Sequence, residues 1–113
     1  MAISSLGSTR FTPNYGAIGI SKAALENVVR YLAAELAPFK IRVNAVSGGL
    51  IDTDSLKMFP QIERMKKEYL ARTPGARLGK PEDIASVVSF LLSPGSGWIY
   101  GQTLIADGGY SLL

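Results

Sequence analysis

The 113-residue sequence contains no cysteine and no histidine. Their absence removes disulfides, thiol nucleophiles, the Ser-His-Asp triad and nearly all zinc chemistry, so no metal site is expected. Acid-base work must fall to Tyr, Lys, Asp or Glu. No apolar run approaches the roughly 20 residues of a membrane span, and the N-terminus lacks the layout of a signal peptide. A cytoplasmic protein without a membrane partner is therefore expected. The net charge of +3 comes from twelve scattered basic residues, and Glu63 and Glu68 flank the only cluster, Arg64, Lys66 and Lys67. That pattern gives no basis for nucleic-acid binding.

What is present suffices for one small domain, because 47% hydrophobic content can build a core. Residues 2–6, "AISSL", read as the end of a buried strand. "RFTPN" (10–14) reads as loop, with Asn14 placed to cap the helix that follows. From 15 to 37 the residues Leu25, Val28, Val29, Leu32 and Leu36 form one helical stripe, and Pro38 stops it. "KIRVNAVSGGL" (40–50) alternates like a strand and runs into a glycine-pair turn. A helix is expected near 60–71. Another is expected in 79–93, where Pro81 takes a first helical position and two acids follow. "QTLIADGG" (102–109) is a short strand closing on glycines, and "DGG" reads equally well as a turn. The order predicts a parallel sheet with helical crossovers, hence an α/β fold.

Two glycine patterns carry no nucleotide chemistry. "GARLGK" (75–80) has three residues between its glycines where a P-loop has four, and Pro81 stands where Ser or Thr should follow the lysine. "GSGWIYG" (95–101) precedes a strand, whereas a dinucleotide fingerprint follows one and opens a helix.

"NYGAIGISKAAL" (14–25) places Tyr15 and Lys22 seven residues apart, on one helix face about 10 Å apart along the axis. A lysine held near a phenol favours the phenolate, and such a tyrosine can donate a proton or stabilise an enolate oxygen. Spacing alone also fits a solvated lysine two turns beyond a tyrosine. Asp52 and Asp54 read as helix-start residues, not as a metal site.

The run "ISSLGS", the stretch from "PNYGAIGISKAALENVVRYLAAELAPFKIRVNAVSGGLIDTDSL" and the closing "GQTLIADGGYSLL" resemble the C-terminal half of a short-chain dehydrogenase/reductase. The resemblance covers essentially the whole chain. It implies a single partial domain, 1–113, from the C-terminal part of a Rossmann-like doubly wound parallel sheet. Most members of that superfamily have tyrosine four positions before the lysine, where this chain has Ile18. Tyrosine seven positions before it resembles the enoyl-acyl-carrier-protein reductases, and "SSLGS" with "NAVSGGLIDTDSLKMFP" is most similar to their NADPH-dependent type III.

The resemblance implies that Tyr15 holds the thioester oxygen as an enolate develops, after hydride from NADPH reaches the β-carbon of a trans-2-enoyl chain borne by acyl carrier protein. It implies that Lys22 binds the nicotinamide ribose, and that Ser47, Gly48, Gly49, Ile51 and Thr53 border the cofactor. Ser5 takes the position of the superfamily's catalytic serine. Leu50 replaces a proline usual in this loop. The family's glycine-rich turn lies upstream of the tyrosine and has no counterpart here, so the chain is expected to be a partial protein, inactive alone. A homo-oligomer is expected, a tetramer in the family. The alternatives are a non-catalytic, self-associating remnant and a carbonyl or 3-oxoacyl reductase, against which Ile18 argues.

Overall fold

A computed structural model describes residues 1–113. Three short strands, β1 (Ala2–Ser5), β2 (Ala45–Gly48) and β3 (Thr103–Ala106), form a parallel sheet in the order β1-β2-β3. Helix α1 (Gly16–Leu36) carries the chain from β1 to β2, while α2 (Ile62–Arg72) and α3 (Pro81–Leu92) lie between β2 and β3. Parallel pairing forces such crossovers, as the order of elements predicts. The sheet and its helices are those of Rossmann-like α/β proteins. β2 is the centre of the core: Ala45, Val46 and Ser47 are buried, whereas Ile3 and Ile105 on the flanking strands are half exposed. No helix is long and apolar enough to cross a membrane.

The strand expected in 40–50 is regular only over Ala45–Gly48. Pairing begins earlier, since Val43 O accepts from Gly101 N at 2.8 Å and Asn44 O from Ala2 N at 3.0 Å. There a side chain replaces part of the ladder. Buried Asn44 accepts from Gln102 N at 2.9 Å and donates to Ile99 O at 2.8 Å, tying β2 to the approach of β3. Because Ala2 bonds toward β2, the alternation of a parallel strand turns the backbone of Ile3 toward the open edge of the sheet.

Helix α1 departs from expectation in two ways. Asn14 does not cap it; the residue takes a left-handed backbone, φ 59°, which asparagine tolerates, and Tyr15 occupies the cap position without a side-chain capping bond. Nor does the apolar stripe face inward as a whole. Val29 is buried, but Val28 and Leu32 are exposed and Leu25 and Leu36 are half-buried; the other buried positions are Gly19, Glu26 and Ala33. The reason is close approach. A Cβ on Gly19 would stand 2.6 Å from Gly7 O, and one on Gly101 would stand 3.3 Å from the Ala33 methyl. Small residues make the seam at these two points, and Val28 and Leu32 stay outside it. Glu26 enters the seam because its carboxylate accepts the Ser4 hydroxyl of β1.

Both ends of α3 are held by arginines. Pro81 opens it, as expected, and Asp83 Oδ2 accepts from Lys80 N at 2.7 Å. Arg77 binds both oxygens of Asp83, at 2.6 and 2.8 Å. That guanidinium, followed by the Lys80 N–H, holds the Asp83 carboxyl well below the usual carboxylate range. A depressed native value means stability that is complete above the unfolded value, near pH 4, and lost as pH falls through the lower native one. Arg77→Ala is therefore expected to move acid unfolding, followed by circular dichroism, to higher pH. Identical acid midpoints would refute that linkage. At the other end Arg42 reaches the last turn of α3 and the turn after it: Nη1 donates to Leu91 O at 2.9 Å and to Ser96 O at 3.1 Å, and Nη2 to Ser93 O at 3.1 Å.

Candidate functional site

The parallel register sets Ser5, the last residue of β1, beside Gly48, the last of β2, which in turn pairs with Ala106 of β3. The carboxyl ends of all three strands thus open on one side, where ligands of open α/β sheets bind. β1 leads into a 3₁₀ turn, Leu6–Ser8, and α1 packs its first turns against it. Tyr15 is half-buried there. Its ring lies over Gly7 and is tilted by 34° against the Phe59 ring, with centroids 6.4 Å apart. Ser5 Oγ accepts from Gly7 N at 3.3 Å, which leaves its own proton free to be donated.

Lys22 lies on the same side of α1 as Tyr15, since both reach β1 or its turn. Its ammonium donates to Ile3 O at 2.8 Å, on the open edge of the sheet, and makes no bond to the phenol. Spacing predicts the shared face but not this partner, which depends on the register of β1. Two N–H groups of the ammonium remain unspent. Tyr15, Lys22 and Ser5 together offer a phenol, an ammonium and a hydroxyl near the carboxyl end of β1. Such donors suit an oxygen that gains negative charge.

Ser47 is buried inside β2, between Ser4 and Ile105. Gly48 and Gly49 have a packing role as well as a backbone one: a Cβ on Gly48 would stand 3.2 Å from Ile84 Cδ1, and one on Gly49 only 2.0 Å from Tyr69 Oη. Ile51 forms an isolated parallel bridge with Gly79. Thr53 precedes the 3₁₀ turn Asp54–Met58 without capping it, on the rim of an open depression of about 420 Å³ shared with Asp52, Asp54 and Lys57. Asp54 is a helix-start residue, as expected, and pairs with Lys57 at 2.6 Å.

Tyr69 is the residue that sequence reasoning passed over. Its hydroxyl donates to Asp107 O at 2.8 Å, its ring stacks on Tyr110 at 4.4 Å, and burial pushes its phenol up. Asp107 accepts from Gly109 N and Ser111 N, and Gly108 and Gly109 take φ of +67° and +88°, so "DGG" is a turn. The only sequence signal for this cluster was that turn.

Comparison with known proteins extends the geometry. A family model described as enoyl-(acyl carrier protein) reductase matches residues 1–111. The chain is 49% identical to 1-cyclohexenylcarbonyl-CoA reductase of Streptomyces collinus, over all of this chain and 41% of that protein. It is 40% identical to 7α-hydroxysteroid dehydrogenase of Escherichia coli K12, over 96% of this chain and 42% of that protein. It is 38% identical to the enoyl-[acyl-carrier-protein] reductase [NADH] FabI of the same strain, over 99% of this chain and 43% of that protein. A solved 7α-hydroxysteroid dehydrogenase, in complex with NADH and 7-oxo glycochenodeoxycholic acid, superposes with a TM-score of 0.88 at 38% identity, over 95% of this chain and 42% of that one. The chain thus spans about two fifths of the length of the curated relatives it matches. Matched over nearly its whole length by the enoyl-(acyl carrier protein) reductase model, and sharing its fold with these oxidoreductases, the chain belongs to the short-chain dehydrogenase/reductase family.

Proposed function

We propose that this chain carries the substrate-polarising residues of an enoyl thioester reductase, which saturates the trans-2 double bond of an acyl chain borne by acyl carrier protein or coenzyme A. One observation carries the reading. The phenol that lies against the turn after β1 belongs to Tyr15, seven residues before Lys22, whereas the position four residues before it is Ile18. The relative that is 49% identical supports it, since its name describes an α,β-unsaturated thioester. The 7α-hydroxysteroid dehydrogenase likeness favours carbonyl reduction instead, and Ile18 counts against that.

A reduced nicotinamide dinucleotide supplies the hydride that adds to the β-carbon. The Tyr15 hydroxyl binds the thioester oxygen and stabilises the enolate charge that develops there, with the free Ser5 proton as a second donor, and a proton from solvent then adds at the α-carbon to give the saturated thioester. Lys22 gives its unspent N–H groups to ribose hydroxyls while Ile3 O fixes its direction. Ser47, Gly48, Gly49, Ile51 and Thr53 border the nicotinamide through the backbone at the end of β2. We take NADPH as the coenzyme, from the similarity to type III enzymes, and NADH, named for the E. coli enoyl reductase, as its competitor. The exposed apolar arc of α1, which includes Ile20, Val28 and Tyr31, is where we place contact between copies in a homo-oligomer.

The test joins residues 1–113 to the nucleotide-binding portion of the Streptomyces collinus relative and assays crotonyl and acetoacetyl thioesters with each coenzyme. Crotonyl reduction without acetoacetyl reduction is expected; the reverse would overturn the reading. Lys22→Ala is expected to weaken NADPH binding about 10- to 100-fold by fluorescence titration, the loss of one or two charge-assisted hydrogen bonds. An unchanged Kd would remove Lys22 from the cofactor site.

A further inference from the structure

We infer that Gly7 is a positioning residue for Tyr15: the side chain it lacks is the seat of the phenol ring. The inference rests on the reading of Tyr15 as the group that meets the thioester oxygen. A Cβ on Gly7 would stand 2.5 Å from Tyr15 Cδ1 and 2.6 Å from Cε1, closer than real Cβ contacts come. The turn that bears Gly7 is already seated on α1, with its Cβ position 3.7 Å from Gly19 Cα and its carbonyl in the space that a Cβ on Gly19 would take. Phe59 bounds the ring further out, at 6.4 Å between centroids. Gly7 also donates its N–H to Ser5 Oγ. One residue thus touches both proposed donors to the substrate oxygen.

The two glycines differ in what they protect. At Gly19 the obstacle to a methyl group is backbone, so alanine there forces α1 away from the turn and costs stability. At Gly7 the obstacle is an aromatic ring at the end of a rotatable side chain, and Gly7 does not have positive φ. Alanine there is cheap for the fold, because the ring can swing aside. It is costly for chemistry, because a displacement of about 1 Å in a reacting group can lower the rate about 10²-fold. Gly16, at the start of the same helix, has nothing within 4 Å of its Cβ position and is the control.

In the joined reductase, Gly7→Ala is expected to lower kcat about 10- to 100-fold. KM and the NADPH Kd should stay within about twofold, and Gly16→Ala should leave all three unchanged. A residue that acts through the Tyr15 hydroxyl has nothing left to misplace once that hydroxyl is gone. In a Tyr15→Phe background Gly7→Ala should therefore cost less than about threefold more. Full activity of Gly7→Ala, or the same fold-loss in both backgrounds, would overturn the inference. A second readout uses the 113-residue chain with 13C-labelled tyrosine: the Tyr15 ring resonances should move in Gly7→Ala and hold still in Gly16→Ala. If Tyr15→Phe retains full activity, the proposed function fails at Tyr15 and the seat is judged by these resonances alone, unmoved signals refuting it. Should Gly7→Ala not fold, Gly7→Ala/Tyr15→Ala must fold if the ring is what the methyl group meets; failure of the pair refutes the seat.

Discussion

Tyr15→Phe is expected to lower crotonyl thioester turnover about 10²- to 10³-fold, the loss that follows removal of one preorganised donor to a developing oxyanion. The ring itself is not disturbed, because phenylalanine fills the same space over Gly7 and against Phe59. The hydroxyl caps nothing in α1, so its removal leaves the fold no unsatisfied partner. The loss should therefore appear in kcat and in kcat/KM alike, with the NADPH Kd within about twofold, the pattern of an interaction made only in the transition state. Steady-state assays in the joined reductase, with a fluorescence titration beside them, measure both. Full activity would place the enolate's partner elsewhere. A loss confined to KM would make Tyr15 a binding group, not a stabiliser of developing charge.

The elements were legible wherever a period or a punctuating residue marked them. Pro81 with Glu82 and Asp83 opens α3, and Pro38 sits in the 3₁₀ turn that follows α1. Three apolar runs separated by helices read as a parallel sheet, because parallel pairing needs a crossover of that length between strands. What the periodicity of α1 could not supply was the shape of the surface it meets. Val28 and Leu32 satisfy the period, yet Gly19 and Ala33 lie at the seam, since the turn after β1 and Gly101 come too close there for larger residues, and Glu26 joins them through its bond to Ser4. The site divides in the same way. The seven-residue interval puts Tyr15 and Lys22 on one face; that Lys22 reaches Ile3 O, and that Gly49 makes room for Tyr69, depend on contacts between segments distant in sequence.

Arg42 shows how far such a contact can matter for stability. Arg42→Ala is expected to cost about 2–4 kcal/mol, because hydrogen bonds to a charged donor contribute about 1.5–3 kcal/mol each and do not add in full. The guanidinium donates to Leu91 O in the last turn of α3, to Ser93 O and Ser96 O in the turn that follows, and to the Ser96 hydroxyl, which itself reaches Leu91 O and Ser93 O, so one cation ties the network together. Leu91, Ser96 and neighbouring Asn44 are all buried, so water cannot readily replace it. Arg42→Lys should recover only a minor part, since one ammonium cannot serve three carbonyls in the geometry of a planar fork. Urea unfolding reads the effect, and the loss should persist in about 1 M salt, where the exposed pair of Arg77 and Asp83 is screened. A change below about 0.5 kcal/mol would mean that packing around Leu91 alone holds the helix end. If the loss is as large as expected, its reach extends to the site. α3 is anchored by Arg42 at one end and sets Ile84 against Gly48 at the other, so the bond that secures the helix also fixes the wall behind the carboxyl end of β2.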